Sequence, residues 1–572
     1  MERRLLLVFA LTFLVIMLFQ PVLKKYLPQP PAKPENTQAV PAQSQAHPPM
    51  PASAMNTAPA ASSGKNLASA PQQATSESET VVENGLYRIV FTNRGARVRS
   101  WVLKKYTDDK GGELELVNTN AAQKYGYPLS LWTYDEGLRN TLNSELYVAT
   151  STSTTAPAEI TFAYSDGDVS VQKSFKFDHS YVVGVRTSVQ VKGAEVTAFP
   201  MWPAGFGDET NGPQYAAGQI AYQYDSNVER LAIKKISGGG TLPGPFNWAG
   251  LSDQYFAAVF LPQDPQSSAM VTLHNTVEIP HSSDPNNKQM DKVDVLGAAV
   301  GSLKGATAGR LYVGPKNLSD LESVPVPGIT GAEPDLRAIV DFGWLGYIAR
   351  PLFLWLKWMY YHIVANWGWA ILLQTLVINV ALLPLRLSQM KSMLKMQRVA
   401  PQIKAIQEKY KKYSLRDPKK AEMNTEISAL YKKEGVNPAG GCLPLLIQMP
   451  FLFAYYRMLN VAMDLRHAPW LWIRDLSAPD PWHILPIAII VTMLAMQRMT
   501  PQAGMDPAQQ KMMNIMMPGM LGVMSWNLAA GLCLYWAAGQ VIGIAQQFAL
   551  NRSTLGREMR EMMAKRTRKK EQ

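Results

Sequence analysis

Eight uncharged polar residues interrupt apolar runs in the C-terminal part of this chain: Gln374, Thr375, Asn379, Gln448, Asn514, Ser525, Asn527 and Gln540. Amide and hydroxyl side chains donate and accept hydrogen bonds. Set into apolar helices, they serve either partners and a wet cavity or hydrogen-bond glue between helices. Thr375 and Asn379 stand one helical turn apart and share a face. Ordinary site chemistry is missing: the chain holds no Walker Gly-Lys-Ser/Thr, no G-x-S-x-G, no H-E-x-x-H and no dinucleotide fingerprint. Its two cysteines, Cys442 and Cys533, fall in apolar runs, and its seven histidines are scattered without metal-ligand spacing. No catalytic residue, metal site or cofactor is therefore predicted, and the expected chemistry is hydrogen bonding and hydration inside apolar surroundings.

Hydropathy fixes the elements that must carry these residues. The 572 residues are 47% hydrophobic with a mean hydropathy of −0.10, too low for a chain that is membrane throughout. Leu5 to Phe19 follows Met1-Glu-Arg-Arg and precedes no small-x-small cleavage site, which predicts an uncleaved signal-anchor helix over 1–27. Residues 28–80, rich in Pro, Ala, Gln and Ser, have the composition of a disordered tether. Over 81–335 short runs alternate with period two: Leu86 to Phe91, Arg97 to Leu103, Glu113 to Val117, Ile160 to Tyr164, Val169 to Phe177 and Tyr181 to Val191, with a hairpin at Ser165-Asp-Gly-Asp168. That pattern predicts a large antiparallel β-sandwich. Its frequent aromatic residues are either ordinary core and sheet-face residues or the lining of a groove for extended peptide.

Residues 336–365 carry Trp344, Tyr347, Trp355, Trp358, Tyr360 and Tyr361 with Arg350 and Lys357, and Pro351 interrupts them. Such an amphipathic segment lies along a membrane surface. Five crossings are expected within 366–548: Trp367 to Leu385, Leu443 to Ala462, Trp482 to Met496, Met512 to Leu528 and Leu532 to Phe548. The apolar part of the third, Ile484 to Met496, contains Pro486 and falls below the ~20 residues that a full bilayer requires, so local thinning is expected.

The net charge of +12 gathers beside the apolar runs, where positive-inside topology accounts for it. Residues 387–436 read as a hairpin of two amphipathic helices, one striped by Ile403, Ile406, Tyr410 and Tyr413, the other by Met423, Ile427, Leu430 and Tyr431. Asp417 before Pro418 opens the second helix, and Gly435 closes it. Four spans separate this hairpin from the basic tail, 549–572, and two separate it from the N-terminus, so all three share the cytoplasmic side and the β-domain faces the other. Lys411 and Lys412, with Lys565, Arg566, Arg568, Lys569 and Lys570 in the tail, are candidate contacts to the ribosome and nascent chain or, alternatively, solvated topology anchors.

Asn437-Pro-Ala-Gly-Gly-Cys-Leu-Pro-Leu-Leu-Ile-Gln-Met-Pro450, the loop from Leu465-Arg-His-Ala-Pro469 to Asp475-Leu-Ser477, Asp506-Pro507 with Gln509-Gln-Lys511, and Gly531-Leu-Cys-Leu-Tyr535 resemble the YidC family of membrane-protein insertases. Tyr312-Val-Gly-Pro-Lys316 resembles the Gram-negative branch with a large periplasmic domain. The resemblance implies a multi-pass α-helical membrane protein of six transmembrane helices, with a periplasmic β-super-sandwich domain and a cytoplasmic helical hairpin, in the bacterial cell inner membrane. It implies an insertase and chaperone that integrates, folds and assembles inner-membrane proteins, alone or with the Sec translocon, through a hydrophilic groove open to cytoplasm and lipid. Implied partners are nascent membrane proteins, the Sec translocon, the ribosome and membrane lipids, with no small-molecule substrate.

Thr375, Asn379 and Gln448 are then the expected groove residues, and Tyr535 and Trp536 an aromatic wall toward lipid. The family pattern places an arginine in the groove-lining span, and counting from Asn366-Trp-Gly368 to Pro384-Leu385 puts Asn379 at that position. Arg386 falls beyond the proline, toward the cytoplasmic end. The groove is therefore expected to work by hydration and reduced span length, with Asn379→Arg tolerated. Two other classes compete: a passive assembly scaffold of a secretion complex, and a small-molecule transporter, which would show inverted repeats, broken helices or mid-membrane charge.

Overall fold

A computed structural model describes residues 71–225, 227–281, 289–329, 334–410, 413, 417–435, 443–499 and 507–553. The expected signal anchor, most of the tether, Lys411, Lys412, the motif 437–442 and the basic tail beyond residue 553 lie outside the described residues. The described chain forms two compact units divided between Ile339 and Val340.

In the first unit, period-two alternation builds three antiparallel sheets. The largest runs in the order Asn227–Leu231, Gln219–Tyr224, Trp248–Ser252, Phe256–Pro262, Thr307–Pro315, Val182–Val191, Val169–Phe177, Ala158–Ser165 and Val148–Ser151, with Ala194–Glu195 paired beside Val182–Val191. A five-stranded sheet (Gly240–Pro243, Ser268–Pro280, Met290–Ser302, Phe199–Trp202, Leu131–Trp132) packs against it. Phe199, Met201, Val271, Leu273 and Ala299 form one apolar cluster of this β-sandwich. The third sheet, of four strands from Glu79–Glu83 to Glu113–Glu115, puts Phe91 against Phe162 and Phe175, with ring centroids 5.7 and 5.1 Å away. Trp101, Trp202, Trp248, Tyr87, Tyr147 and Tyr312 are fully buried, so the aromatic residues offered above as core or as peptide groove are core at these positions.

Strand Val169–Phe177 turns Val171, Lys173, Phe175 and Phe177 inward. Lys173 is fully buried, and its Nζ donates to the carbonyls of Gly95 at 2.8 Å, Ala96 at 3.0 Å and Leu129 at 2.8 Å. All three of those residues have left-handed backbone, at φ +68°, +46° and +63°. Burial pushes the Lys173 ammonium well below the usual lysine range, and Arg97 adds to the push. The three carbonyls oppose it by accepting every N–H that an ammonium can donate.

The second unit is helical: α1 (Gly346–His362), α2 (Trp367–Ala381), α3 (Leu383–Lys409), α4 (Pro418–Lys433), α5 (Leu443–Val461), α6 (Ile484–Met499), α7 (Pro507–Ser525) and α8 (Ala530–Arg552). Asn366 caps α2, its side chain accepting from the Trp369 N–H at 3.2 Å. α1 runs through Pro351 instead of being interrupted there. It buries Ala349, Leu352, Phe353, Leu356 and Met359 and exposes Tyr347, Leu354, Trp358 and Tyr361, positions that recur at helical spacing. Lys357 pairs with Asp464 at 3.5 Å, and Arg457 with Asp341 at 2.7 Å, tying α1 and its entry to α5 and its exit. Among the described residues, no helix is long and apolar enough to cross a membrane.

The stretch Trp367 to Leu385, expected as one span, is divided between α2 and α3, which restarts immediately after Leu382. α3 continues into the expected hairpin and packs Met396, Val399 and Ile403 against Ile427, Leu430 and Tyr431 of α4. Asp417 accepts the Lys419 N–H at 3.0 Å, and Gly435 turns left-handed at φ +58° beyond the end of α4.

Candidate substrate groove

Polar side chains in the helical unit gather in two tiers along α2. The first contains Gln374, which is wholly buried. Its Nε2 donates to the Leu352 carbonyl of α1 at 2.9 Å, and its Oε1 accepts the Tyr455 hydroxyl of α5 at 2.9 Å. The Tyr455 ring stacks on Tyr535 of α8 with centroids 3.9 Å apart and planes 15° apart. One amide thus joins α1, α2 and α5, and the ring stack adds α8. A buried network with its partners satisfied rigidifies the bundle around it.

The second tier begins with Thr375, whose hydroxyl donates to the Ile371 carbonyl at 2.6 Å. One turn on, Asn379 donates from Nδ2 to the Thr375 carbonyl at 2.8 Å, and its Oδ1 faces Arg386 Nη2 at 3.4 Å. Arg386 also donates from Nη1 to Gln546 Oε1 at 2.7 Å, and Gln546 Nε2 returns to the Asn379 backbone carbonyl at 3.1 Å. α8 opens space here with small residues. A Cβ on Gly543 would lie 2.7 Å from Met496 Cε and 2.9 Å from Arg386 Nη1, while Gly539 faces Asn379 and Thr375. The result is a half-buried guanidinium held by two amides, with N–H groups left to donate to an acceptor that comes beside it.

The residues singled out in the sequence separate accordingly. Thr375 and Asn379 share the second tier. Tyr535 turns inward to the first tier, where its ring is covered by Tyr455, and Trp536 beside it is half-exposed. The side chain of Gln448 lies outside the described part, as do Lys411, Lys412, Lys565, Arg566, Arg568, Lys569 and Lys570. Arg386, Gln546 and Gly543 were not expected in the groove. Arg386 had a signal: it lies seven residues after Asn379, close to two helical turns, and so returns to the same face.

Two family models match the chain, the YidC periplasmic domain over residues 79–355 and the 60Kd inner membrane protein over residues 358–557. The membrane protein insertase YidC of Syntrophus aciditrophicus is 31% identical over 96% of this chain and all of its own length. That of Thiobacillus denitrificans is 31% identical over 97% of this chain and 98% of its own. Among solved structures, an active YidC insertase with its first transmembrane domain resolved is 20% identical, with 83% of this chain and 94% of that one covered and a TM-score of 0.35. Near-complete coverage from end to end, across both units, shows that the chain belongs to the YidC family of membrane protein insertases.

Proposed function

We propose that this insertase integrates inner-membrane proteins through the second tier of α2, used as a hydrated, positively charged groove, without a covalent step. The observation that carries the reading is the Asn379–Arg386–Gln546 cluster: polar groups and one cation gathered where the helices around them expose apolar flanks, such as Leu376, Val377 and Val380 on α2. A hydrophobic segment entering a bilayer must carry a polar flank across a region where each unsatisfied polar group costs several kcal/mol. Amides and bound water part-way across lower that cost, and Arg386 adds attraction for an acidic flank.

The reading departs in one respect from the expectation of an uncharged groove. The family's arginine position is Asn379 here, and Arg386 brings a guanidinium to it from the next helix. Asn379→Arg would then set two cations side by side, so the earlier expectation of tolerance applies only with Arg386 neutralised.

The wider arrangement belongs to the same proposal. α2, α5, α6, α7 and α8, with the signal anchor, make six crossings; α2 and α6, of 15 and 16 residues, cross a locally thinned bilayer. The termini and the α3–α4 hairpin are cytoplasmic, the β-domain is periplasmic, and α1 lies in the interface with Tyr347, Trp358 and Tyr361 toward lipid. Lys411 and Lys412 with Lys565 to Lys570 approach the ribosome, and the protein acts alone or beside the Sec translocon. Charge parity supports this orientation.

The test is insertion of a small one- or two-span substrate into liposomes containing the purified protein, with a photocrosslinker at residue 379. Insertion with a crosslink from 379 to a stalled nascent chain supports the groove. Efficient insertion by Asn379→Leu, with no such crosslink while position 491 crosslinks, would move the groove elsewhere; no insertion at all would favour a passive scaffold.

A further inference from the structure

The loop between α5 and α6 is built onto the start of α2. Asn366 Nδ2 donates to the Pro469 carbonyl at 3.1 Å, Gly368 lies against the Trp470 ring, and Trp369 meets Trp470 edge to face with centroids 5.7 Å apart. From that base the chain projects a two-residue turn. Trp470 and Ile473 exchange both backbone hydrogen bonds at 2.8 Å, which leaves Leu471 and Trp472 at the tip. Leu471 is 67% exposed and holds φ +49°. The first central position of such a turn suits Gly when its φ is positive. A leucine there strains the backbone and gains almost nothing from burial.

The turn is also held firmly. Trp472 Nε1 donates to Asp480 at 3.0 Å, and the same buried carboxylate accepts the N–H groups of Trp482 at 3.1 Å and Leu485 at 2.7 Å. Asp480 thereby couples the tip to the first turn of α6. Beside it Trp482 is 66% exposed, and His483 stacks on Trp526, which follows α7, at 4.3 Å. Tyr361 and Ile363 at the end of α1 are exposed as well, next to the Tyr360–Trp367 stack that joins α1 to α2. One end of the helical unit therefore presents a rim of aromatic and aliphatic side chains. It is continuous with the exposed apolar flank of α6 formed by Ile484, Ile487 and Val491.

We propose that Leu471 is a lipid foot: the turn sets it into the boundary between headgroups and acyl chains of the periplasmic leaflet and fixes the depth of that end of the bundle. The inference rests on reading α2 and α5 to α8 as crossings. A bilayer is the occupant because the rim continues into the flank that those crossings turn toward lipid. Trp and Tyr, apolar with one polar atom, also suit the interface on either side of the foot. Arg474, exposed three residues along, lies on the same loop and suits a lipid phosphate.

The full-length protein, with Cys442 and Cys533 replaced by Ala, is placed in vesicles of phosphatidylethanolamine and phosphatidylglycerol and labelled with an environment-sensitive NBD probe at Leu471→Cys. Val491→Cys serves as the lipid-facing control and Glu434→Cys as the aqueous one. The expected result is emission at 471 to the blue of that at 434, quenched several-fold more by a nitroxide near the headgroup than by one at the acyl end. An aqueous spectrum at 471 with a lipid-like one at 491 overturns the foot and leaves the crossings standing; aqueous spectra at both overturn the two together. A blue shift at 471 that appears only once a substrate or another protein is added would make the occupant a protein and also overturn the proposal. A second variant, Leu471→Gly, relieves the turn and removes the foot. Its melting temperature in detergent should be unchanged or higher while insertion in vesicles slows several-fold; a parallel loss of both would mark Leu471 as structural and overturn the proposal.

Discussion

Lys173 in the β-sandwich and Arg386 in the helical unit are both cations drawn away from the surface, and their surroundings differ in kind. Lys173 is wholly buried, with three short bonds to three carbonyls. Arg386 is half-buried, with one short bond to Gln546, one long bond to Asn379, and a glycine where a side chain would press on it. A saturated cation locks the loops that surround it. An incompletely engaged one can still be answered by something that arrives. On the reading proposed above, the contrast separates a group kept for the fold from one kept for work, although both are polar groups in apolar company.

The largest effect should come from the locked cation. Lys173→Met leaves the carbonyls of Gly95, Ala96 and Leu129 without their donor, and the β-domain should lose about 3–5 kcal/mol of stability, read by thermal or denaturant unfolding of the full-length protein. A change below about 1 kcal/mol would erase the contrast.

Gln374→Met keeps volume but strips the Tyr455 hydroxyl and the Leu352 carbonyl of their shared partner. A loss of about 2 kcal/mol in bundle stability is expected, with insertion by the surviving folded protein near normal. Impaired insertion at unchanged stability would mean that the first tier also meets substrate.

Arg386→Gln should leave stability nearly intact and slow the insertion of a substrate with an acidic flank about tenfold, equivalent to about 1.4 kcal/mol, while a neutral flank is little affected. Asn379→Arg should be harmful alone and tolerated together with Arg386→Gln. Equal slowing for acidic and neutral flanks would put Arg386 with Lys173 as a structural cation.

The smallest effect concerns Glu209. Burial, and after it the charge of Asp253, raises its carboxyl well above the ordinary glutamate value of 4.5, against a hydrogen bond from the Phe206 N–H. Below pH 4.5 folded and unfolded chains are both protonated there, so nothing is lost. As pH climbs through 4.5 the unfolded chain ionises first, and stability falls until the raised folded value is passed. Glu209→Gln should therefore stabilise the protein by roughly 1 kcal/mol at pH 7 and not at pH 4. The opposite pH trend would show that Glu209 is held as an anion.

The β-sandwich was readable because its signal is local. Alternation located Val169 to Phe177 and the hairpin after Ser165, and the same alternation places Lys173 on the inward side between Val171 and Phe175. What alternation omits is the partner set, since Gly95 and Leu129 are brought in by loops 78 and 44 residues away. In the helical unit Asp417 and Gly435 announced the ends of α4, and the spacing of Thr375 and Asn379 announced a shared face. Arg386 was missed because Pro384 reads as a break. At the second position of a new helix proline is accommodated, and the face continues past it. Gln546 and Gly543 of α8 joined the groove only through packing against a helix more than 150 residues earlier.

The near-join of α2 and α3 at Leu382 has a mechanical consequence. α3 is 27 residues long, a rod of about 40 Å at ~1.5 Å per residue. Arg386 stands in its first turn, about 5 Å from the hinge, whereas the hairpin contacts are carried at the distal half. A load that swings the rod by about five degrees about Leu382 would displace its tip by about 3.5 Å but shift the guanidinium's backbone by less than about half an ångström, by the same rise per residue. The lever is geared down where the charge sits, so the hairpin can follow a large moving partner without dragging the cation away from the amides that hold it.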